Sequence, residues 1–254
     1  FRRRAPSESI ERHFKKDVST RRRLMKDLHD IAVVVQARLG SYRVPGKMLK
    51  PFANTTLMDI AIEKMLNSKV FSKEHFFVSV HEQELIDVAR KHGANMYLRS
   101  EKSANSEGTP LTEMYEWWDK LPFKYCVLVN ACAPFLTVET VDKFVEAYMN
   151  TDSDGLFGVM EKKNYFWNTD GKLKTNWPAS QACMNTKFVE TTYEAAHCLY
   201  AGRMDRIGEG IWMGDFQVPG DIQLYPMSEF ESLDIDYSWQ FDMCEAIYRQ
   251  VKGL

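Results

Sequence analysis

The sequence lacks the features that define several broad classes of protein. Among its 254 residues, no apolar run approaches the roughly 20 residues that a membrane-spanning helix needs, and no apolar segment of a secretory signal follows the basic N-terminus. The five cysteines are scattered, odd in number and without a CxxC pair, so neither a disulfide framework nor a zinc knuckle is indicated. We therefore expect reduced thiols in a cytoplasmic protein.

The chain also lacks a strong net charge of either sign. Lysine and arginine total 33 and aspartate and glutamate 35, giving a formal charge of −2, which offers no global reason to expect nucleic acid or a membrane as a partner. Residues 1–30 nevertheless carry ten basic and five acidic side chains. We interpret them as a basic leader or linker, with a tail that binds an anionic surface as the alternative. The chain starts with Phe, so we expect either a domain of a longer polypeptide or an artificial start.

Strands and helices alternate through residues 31–254, which we interpret as the main domain. Helices are predicted at 56–68, 82–92, from 137 onward and at 239–251. Strands are predicted at 31–36, 76–80, 94–98, 125–129, 154–160, 196–200, 222–225 and 232–236. Such alternation predicts a three-layer α/β/α domain with helices on both faces of a sheet, and ligands bind at the carboxyl ends of the strands in such sheets. Residues 161–192 fit neither pattern.

A basic, glycine-containing loop follows the first predicted strand. Its chemistry-bearing residues are Arg38, Gly40, Ser41, Arg43, Gly46 and Lys47. Glycines let backbone N–H groups approach an anion closely, and the three cations together would neutralise most of the charge of a triphosphate. The spacing matches neither a Walker A loop nor a GxGxxG motif. We predict a phosphate-binding loop, with a solvated basic loop as the alternative.

Two aspartates, Asp234 and Asp236, stand two residues apart on the strand predicted at 232–236. This spacing directs both carboxylates to one side of a strand. Converging carboxylates suit Mg²⁺ or Mn²⁺, which take hard oxygen ligands and keep water and substrate phosphates in their coordination shell. The alternative is an acidic strand end that faces solvent.

The stretch AVVVQARLGSYRVPGKMLKPF, residues 32–52, resembles the opening of the cytidylyltransferases that activate acidic sugars. These are the CMP-sialic acid and CMP-Kdo synthetases and the spore-coat polysaccharide cytidylyltransferase-like proteins. FFVSVHEQELIDVARKHGANMYLRS resembles the second strand and helix of that family, and LDID followed by Phe241 and Glu245 resembles its D-I-D motif. The resemblance runs discontinuously from about Ile31 to the C-terminus. It implies a Rossmann-like mixed sheet of the nucleotide-diphospho-sugar transferase type.

The resemblance also implies an activity. An acceptor oxygen would attack the α-phosphorus of CTP with the help of Mg²⁺ or Mn²⁺, and pyrophosphate would leave. The implied nucleotide-binding residues are Arg38, Gly40, Ser41, Arg43, Lys47 and, beside the cytosine, Arg99. The implied catalytic residues are Lys47, Asp234 and Asp236, with the two aspartates as metal ligands. A homodimer is also implied, with residues 161–192 at the interface or over the site.

The acceptor side departs from the family pattern. In the NACAPFL stretch that begins at Asn130, the family's Thr and Ser hydroxyls are missing. Glu194 stands where the family has a cation, so a carboxylate substrate would need its charge matched by Lys162, Lys163, Lys187 or Arg203. His197 is a candidate for acceptor contact or proton transfer, with a half-buried structural histidine as the alternative. We assign acceptor binding to Asn130, Glu194 and His197.

Three functional hypotheses follow from these residues. The first is a cytidylyltransferase acting on an acidic keto-sugar such as sialic acid or Kdo. The second keeps the chemistry and changes the acceptor to a small phosphonate or phosphate, because Glu194 would pair with a substrate amine. The third is a non-catalytic nucleotide-binding scaffold, since a fold alone does not establish an activity.

Overall fold

Seven strands form one mixed sheet in the order β3-β2-β1-β4-β6-β5-β7. The computed structural model describes residues 26–105, 107–177 and 182–254. The strands are β1 Ile31–Gln36, β2 Phe76–Val80, β3 Asn95–Leu98, β4 Tyr125–Val129, β5 Gly155–Lys162, β6 Thr192–Arg203 and β7 Ile222–Pro226. Only β6 among these strands runs antiparallel to its neighbours β4 and β5, so the carboxyl ends of the other six lie along one edge of the sheet.

The longer helices begin and end where local chemistry dictates. They are α1 Leu57–Leu66, α2 Gln83–Lys91, α5 Val138–Met149 and α7 Ser238–Lys252, and the short helices are α3 Glu101–Ala104, α4 Leu111–Met114 and α6 Met204–Gly208. Thr56 and Thr137 cap α1 and α5, each accepting a hydrogen bond from a backbone N–H in the first turn. The chain leaves α2 through Gly93, whose φ of +63° suits glycine.

The three-layer prediction is confirmed by the two cores that β1 separates. Ile31, Val33 and Val35 face a core that includes residues of α1, α2, α5 and α7. Ala32 and Val34 face a second core that contains Trp117, Met204, Ile207 and Met213. Residues 31–35 are completely buried, and each Val or Ile among them stabilises the fold by about 1.5–3 kcal/mol. Burial on both faces explains why β1 reads as an uninterrupted apolar run.

The prediction of a strand at 232–236 is wrong. These residues form an extended segment between β7 and α7 that pairs with no strand. Ser232 N donates back to the carbonyls of Ser228 and Glu229, and Ile235 N donates to the carbonyl of Cys132 in a loop. Alternating polar and apolar residues therefore arise here because Ile235 is buried between loops, not because the chain joins the sheet.

Residues 26–30 of the proposed leader pack on the domain. Lys26 is buried, and its Nζ donates to the carbonyls of Thr151 at 2.6 Å and Ser153 at 2.9 Å. Burial lowers the pKa of Lys26, while the nearby rings of Tyr125 and Tyr148 and the charge of Asp154 favour its charged form. Residues 1–25 of the proposed leader lie outside the described residues.

Among the described residues, no helix combines the length and apolar character that crossing a bilayer requires.

Two glycines of the sheet allow the segment around Met213 to lie directly on it. A Cβ on Gly155 would stand 2.1 Å from the carbonyl oxygen of Met213, and one on Gly202 would stand 2.4 Å from the Met213 Cα. We expect Gly155→Ala to lower the free energy of unfolding by about 1–3 kcal/mol, because the clash is with backbone that has to move. Urea denaturation measures the change.

Gly40→Ala is the matched control for this substitution. A Cβ there meets nothing within 4 Å, and the φ of Gly40 is not in the left-handed region. Gly40→Ala is therefore expected to unfold at the same urea concentration as the parent protein. Equal midpoints for the two variants would show that the close approach of Met213 does not constrain the sheet.

Candidate functional site

The basic loop leaves the carboxyl end of β1, near the centre of the sheet. The loop folds back on itself: Gly46 N donates to the carbonyl of Leu39, and the Ser41 hydroxyl accepts from Val44 N, both at 3.4 Å. Gly46 has a φ of +64°, a conformation that favours glycine. The loop encloses a cavity of about 270 Å³, lined by Gln36, Ala37, Arg38, Ser41, Tyr42, Arg43, Lys47, Met48, Cys132 and Asp236. The predicted cations therefore face one space.

The segment that carries the two aspartates is held from both sides. Ile235 is fully buried, and its N–H donates to the carbonyl of Cys132 at 3.1 Å. Toward α7, the side-chain oxygen of Gln240 accepts from Asp236 N at 2.7 Å and from Tyr237 N at 2.8 Å, as in a capping box. Asp234 and Asp236 thus occupy fixed positions although they are not on a strand.

The basic loop and the aspartate segment meet at Asp236. Its carboxylate lies 2.7 Å from Arg43 Nη2 and 3.7 Å from Lys47 Nζ. Lys47 Nζ also donates to the carbonyl of Ile235 at 2.5 Å, and the Arg43 guanidinium lies over the ring of Tyr237. Residues that are about 190 positions apart in the sequence are thereby joined, as the prediction of a shared phosphate and metal site requires.

Asp234 interacts electrostatically with Asp236 and Lys47 but is not among the residues that line the cavity. Burial raises its pKa, and the negative charge of Asp236 raises it further, while Lys47, Asn130 and His197 act in the opposite direction. The buried Oδ1 of Asp234 has no hydrogen-bond partner. An unpartnered carboxylate oxygen beside a second carboxylate fits a divalent cation that also takes ligands from substrate phosphates. Within the described ranges, no group of three or more His, Cys, Asp or Glu side chains could hold a metal alone.

His197 reaches this site through a bulge in β6. The register between β5 and β6 shifts at this point, and His197 has a φ of +56°, which costs about 1–3 kcal/mol for a residue other than glycine. Asn130 holds the bulge: its side chain donates to the His197 carbonyl and its N–H donates to the Cys198 carbonyl, each at 2.9 Å. His197 Nδ1 lies 2.8 Å from the Tyr200 hydroxyl. The residue is exposed, but its ring is held in a partly buried contact with Tyr200, so acceptor contact and a structural role both stay predictions.

Glu194 lies three residues before His197, near the start of β6, and is more than half exposed. Lys162 at the end of β5 is 3.5 Å from the Glu194 carboxylate and is also ion-paired with Glu229. Of the four cations that the sequence suggested, Lys162 therefore lies beside Glu194, but two carboxylates already neutralise it. Arg203 lies at the opposite edge of the sheet, opposite Tyr125 at the amino end of β4. Its guanidinium binds Asp154 and Asp205.

Arg99 lies behind the basic loop. It is 5% exposed, and its guanidinium donates to the carbonyls of Ala37 at 2.5 Å and Ser103 at 3.3 Å. Arg99 is not among the residues that line the cavity enclosed by the loop. Arg38, in contrast, lines that cavity and donates to the carbonyl of Ala104.

Several residues of the site were missed from the sequence, and three of them bear on its chemistry or its shape. The Glu82 carboxylate accepts from Leu39 N at 2.7 Å, Cys132 lines the cavity, and Gln240 fixes the aspartate segment. Burial raises the pKa of the Cys132 thiol to about 11, so this thiol is neutral near pH 7. Glu82 and Cys132 each follow the carboxyl end of a predicted strand, a position that signals proximity to a site in such sheets. Gln240 had no comparable signal, since Tyr237 is an unusual helix cap.

Comparisons with known proteins show the family to which the chain belongs. The sequence model of the family described as "Cytidylyltransferase" matches residues 32–197. The spore coat polysaccharide biosynthesis protein SpsF of Bacillus subtilis is 25% identical over 129 residues, which are 50% of this chain and 53% of that protein. The pseudaminic acid cytidylyltransferase of Campylobacter jejuni is 27% identical over 135 residues, 50% of this chain and 57% of that protein. The chain spans about half the length of these curated relatives.

The fold is also similar to that of solved structures. The structure of CMP:2-keto-3-deoxy-manno-octonic acid synthetase complexed with CTP superposes with a TM-score of 0.64 at 12% sequence identity. The similarity covers 87% of this chain and 99% of that one. At this level of identity the likeness concerns the fold alone, and it confirms the predicted α/β class.

The ion pairs at Asp236 predict competition with anions. Arg43 and Lys47 cannot bind a phosphate chain fully while they remain paired with Asp236. We expect Asp236→Asn to lower the Kd for inorganic tripolyphosphate in EDTA by about two- to fivefold, the value of partly exposed ion pairs. Isothermal titration calorimetry measures the change.

Asp242→Asn, on the exposed surface of α7, removes the same charge without touching the loop. It should leave the Kd for tripolyphosphate nearly unchanged. A Kd that falls equally in both variants would mean that net charge, and not the ion pairs of Asp236, controls anion binding.

Proposed function

Because the chain belongs to the cytidylyltransferase family, we propose that it transfers CMP from CTP to an acidic sugar and releases pyrophosphate. The observation that carries the proposal is the contact between the basic loop and the two-aspartate segment at Asp236. A site that joins three cations to two carboxylates fits a triphosphate with a divalent cation better than it fits a neutral ligand.

The nucleotide half of the site is formed by the loop after β1. Arg38, Ser41, Arg43 and Lys47 face the cavity and would hold the triphosphate. Gly40 leaves open space above the loop backbone, where a Cβ would touch nothing, so phosphate oxygens can approach closely. Lys47 is the best placed of the cations for catalysis, because it is only 12% exposed and its charge is poorly screened by water.

The metal half is formed by Asp234 and Asp236, which would hold Mg²⁺ or Mn²⁺. When bound, the ion would supply charge stabilisation at the α-phosphate. Arg43 and Lys47 would leave Asp236 for the phosphates, and this exchange frees the Asp236 carboxylate as the nucleotide enters. The unpartnered Oδ1 of Asp234 is available without any such rearrangement.

In the reaction, an acceptor hydroxyl oxygen forms a bond to the α-phosphorus of CTP. The bond between that phosphorus and the oxygen bridging to the β-phosphate breaks, pyrophosphate leaves, and the hydroxyl proton is lost. Asn130 and His197 lie beside Asp234 and would orient the acceptor. The site acts mainly by positioning and charge stabilisation, so no covalent intermediate is required.

A second acceptor class has support from one cluster of side chains. Glu194, Glu229 and Lys162 together carry one net negative charge when all are ionised. That charge repels any anionic group close to Glu194 and attracts an amine, so it favours a small phosphonate or phosphate whose amine, and not its anionic group, lies there. The non-catalytic scaffold is the least supported hypothesis, because Lys47, Asp234 and Asp236 occupy one site.

The proposal predicts pyrophosphate release that depends on CTP, on Mg²⁺ and on an acceptor. We expect CTP to be used in preference to UTP, ATP and GTP, and keto-sugar acids to serve as acceptors. Aminoalkyl- and hydroxyalkyl-phosphonates are tested as acceptors in parallel. Pyrophosphate release with these alone would favour the second acceptor class. CTP binding without release from any acceptor would contradict the proposed activity and favour a scaffold.

The metal assignment is tested by Asp234→Asn, which keeps the size of the side chain. We expect kcat to fall at least about 100-fold, since even groups that only orient metal ligands are worth 10–100-fold. The thermal midpoint should stay the same or rise, because a buried carboxylate without a partner is removed. Asp242→Asn is again the control, and turnover by Asp234→Asn at the parent rate would overturn the metal assignment.

A further inference from the structure

The N-terminus of α5 is completed by a residue from a distant segment. Thr137 caps the helix, and in a capping box the third helical residue accepts a hydrogen bond from the backbone N–H of the cap. Here that third residue is Thr140, whose hydroxyl donates to Glu231 at 2.8 Å. The Glu231 carboxylate accepts from Thr137 N at 3.1 Å and from the Thr137 hydroxyl at 2.6 Å. A glutamate 94 residues along the chain thus does what a local glutamate or glutamine ordinarily does.

Glu231 stands three residues before Asp234, in the segment between β7 and α7. Ser232 lies between them and is buried. It turns the chain, because its N–H and its hydroxyl both donate to the carbonyl of Ser228. A hydrogen-bonded turn of this kind links the position of the Asp234 backbone to that of Glu231. On the other side of Asp234, Ile235 is held separately by the loop after β4.

The two aspartates of the segment are held by different contacts. Asp236 is fixed by its ion pairs with the basic loop and by Gln240, and Glu231 takes part in neither. The Oδ1 of Asp234 has no hydrogen-bond partner, so the backbone on either side of Asp234 does more to place it. Loss of the Glu231 contact should therefore move Asp234 and leave Asp236 and the cations of the loop where they are.

The support to which Glu231 is bound is itself fixed. Lys64 of α1 donates to the carbonyl of Ala133 at 2.9 Å. Burial lowers the pKa of Lys64 to about 7, and the negative charge of Glu231 opposes this shift. The rings of Phe135 and Phe230 pack with their centroids 4.5 Å apart. Glu231 therefore joins the aspartate segment to a support formed by α1, the loop after β4 and α5.

We propose that Glu231 is a positioning residue for the divalent cation, because by completing the cap of α5 it fixes Asp234 beside Asp236. The inference rests on the proposed function, in which the two aspartates hold Mg²⁺ or Mn²⁺. Glu231 acts through Asp234. A residue that only capped α5 would stabilise the helix and leave the affinity for the ion unchanged.

The experiment compares Glu231→Ala, Glu231→Gln and Thr140→Val with the parent protein. Electron paramagnetic resonance gives the Kd for Mn²⁺, and calorimetry in EDTA gives the Kd for inorganic tripolyphosphate. We expect Glu231→Ala to raise the Kd for Mn²⁺ about tenfold, the lower end of what loss of groups that orient metal ligands costs. The Kd for tripolyphosphate should stay within about twofold of the parent value, because distant sites act independently.

The other two variants show whether the hydrogen bonds of Glu231 carry the effect. Glu231→Gln should keep the Kd for Mn²⁺ within about threefold of the parent value, because its amide oxygen still accepts from Thr137 N. Thr140→Val should raise the Kd for Mn²⁺ in the parent protein and leave it unchanged in the Glu231→Ala background, since residues that act through one another are not additive.

Glu139→Ala is the matched control, because it removes an exposed carboxylate from the same first turn of α5. It should leave both constants unchanged. Two results would overturn the proposal: a Kd for Mn²⁺ in Glu231→Ala equal to that of the parent protein, or a parallel rise of the Kd values for Mn²⁺ and tripolyphosphate, as for a general loosening of the site. If Glu231→Ala does not fold, Thr140→Val decides by the same two criteria.

Hydrogen–deuterium exchange separates failure of this inference from failure of the proposed function, because it needs neither metal nor nucleotide. A parent protein that binds no Mn²⁺ and releases no pyrophosphate would contradict the proposed function. Glu231→Ala is still expected to speed amide exchange at residues 232–235 and to leave α7 unchanged, since Gln240 holds the start of that helix. Unchanged exchange at residues 232–235 would show that Glu231 does not fix the segment.

Discussion

The site depends on the contact between Lys47 and the segment around Ile235. Lys47 comes from the loop after the central strand, and Ile235 precedes the last helix. Their hydrogen bond, with the ion pairs of Asp236, joins the start of the described domain to its end. Cys132 and Gln240 hold the aspartate segment in place by themselves, but only this contact brings the cations of the loop to it. The chemistry of the site is therefore a property of the closed fold and of neither segment alone.

The rigid part of this arrangement is the complete burial of β1. Since residues 31–35 have no exposure on either face, the point at which the chain emerges from the sheet cannot shift without opening both cores. The loop that follows can then hold repelling cations close together, because its backbone is secured by neighbouring strands and by Glu82. The buried core around β1 thus supports a loop in which several cations lie close together at the carboxyl edge of the sheet.

The sequence predicts the scaffold well and its irregular parts poorly. Strands β1 and β4 occur with the bounds that their β-branched and apolar runs predict, because burial on both faces leaves a clear local pattern. The segment at 232–236 alternates polar and apolar residues as a strand does but pairs with no strand, since its partners are loops distant in sequence. The bulge at His197 is likewise set by Asn130, 67 residues away. Long-range hydrogen bonds of this kind leave no periodic trace, whereas the residue types of the site, such as Asp234 and Lys47, are visible from their motifs.

The residues proposed to bind the nucleotide and those proposed to bind the acceptor come from different parts of the chain, because β6 runs in the opposite direction to the other strands. Arg38, Ser41, Arg43 and Lys47, proposed to bind the nucleotide, come from one continuous segment between β1 and α1. The residues proposed to bind the acceptor instead come from the end of β4 and the first half of β6, and the connection of residues 163–191 enters β6 just before Glu194. Changes of length or composition in that connection can alter the acceptor side while the parallel strands keep their register. If the proposed assignment holds, the acceptor can therefore change during evolution through residues 163–191 while the nucleotide-binding loop stays as it is.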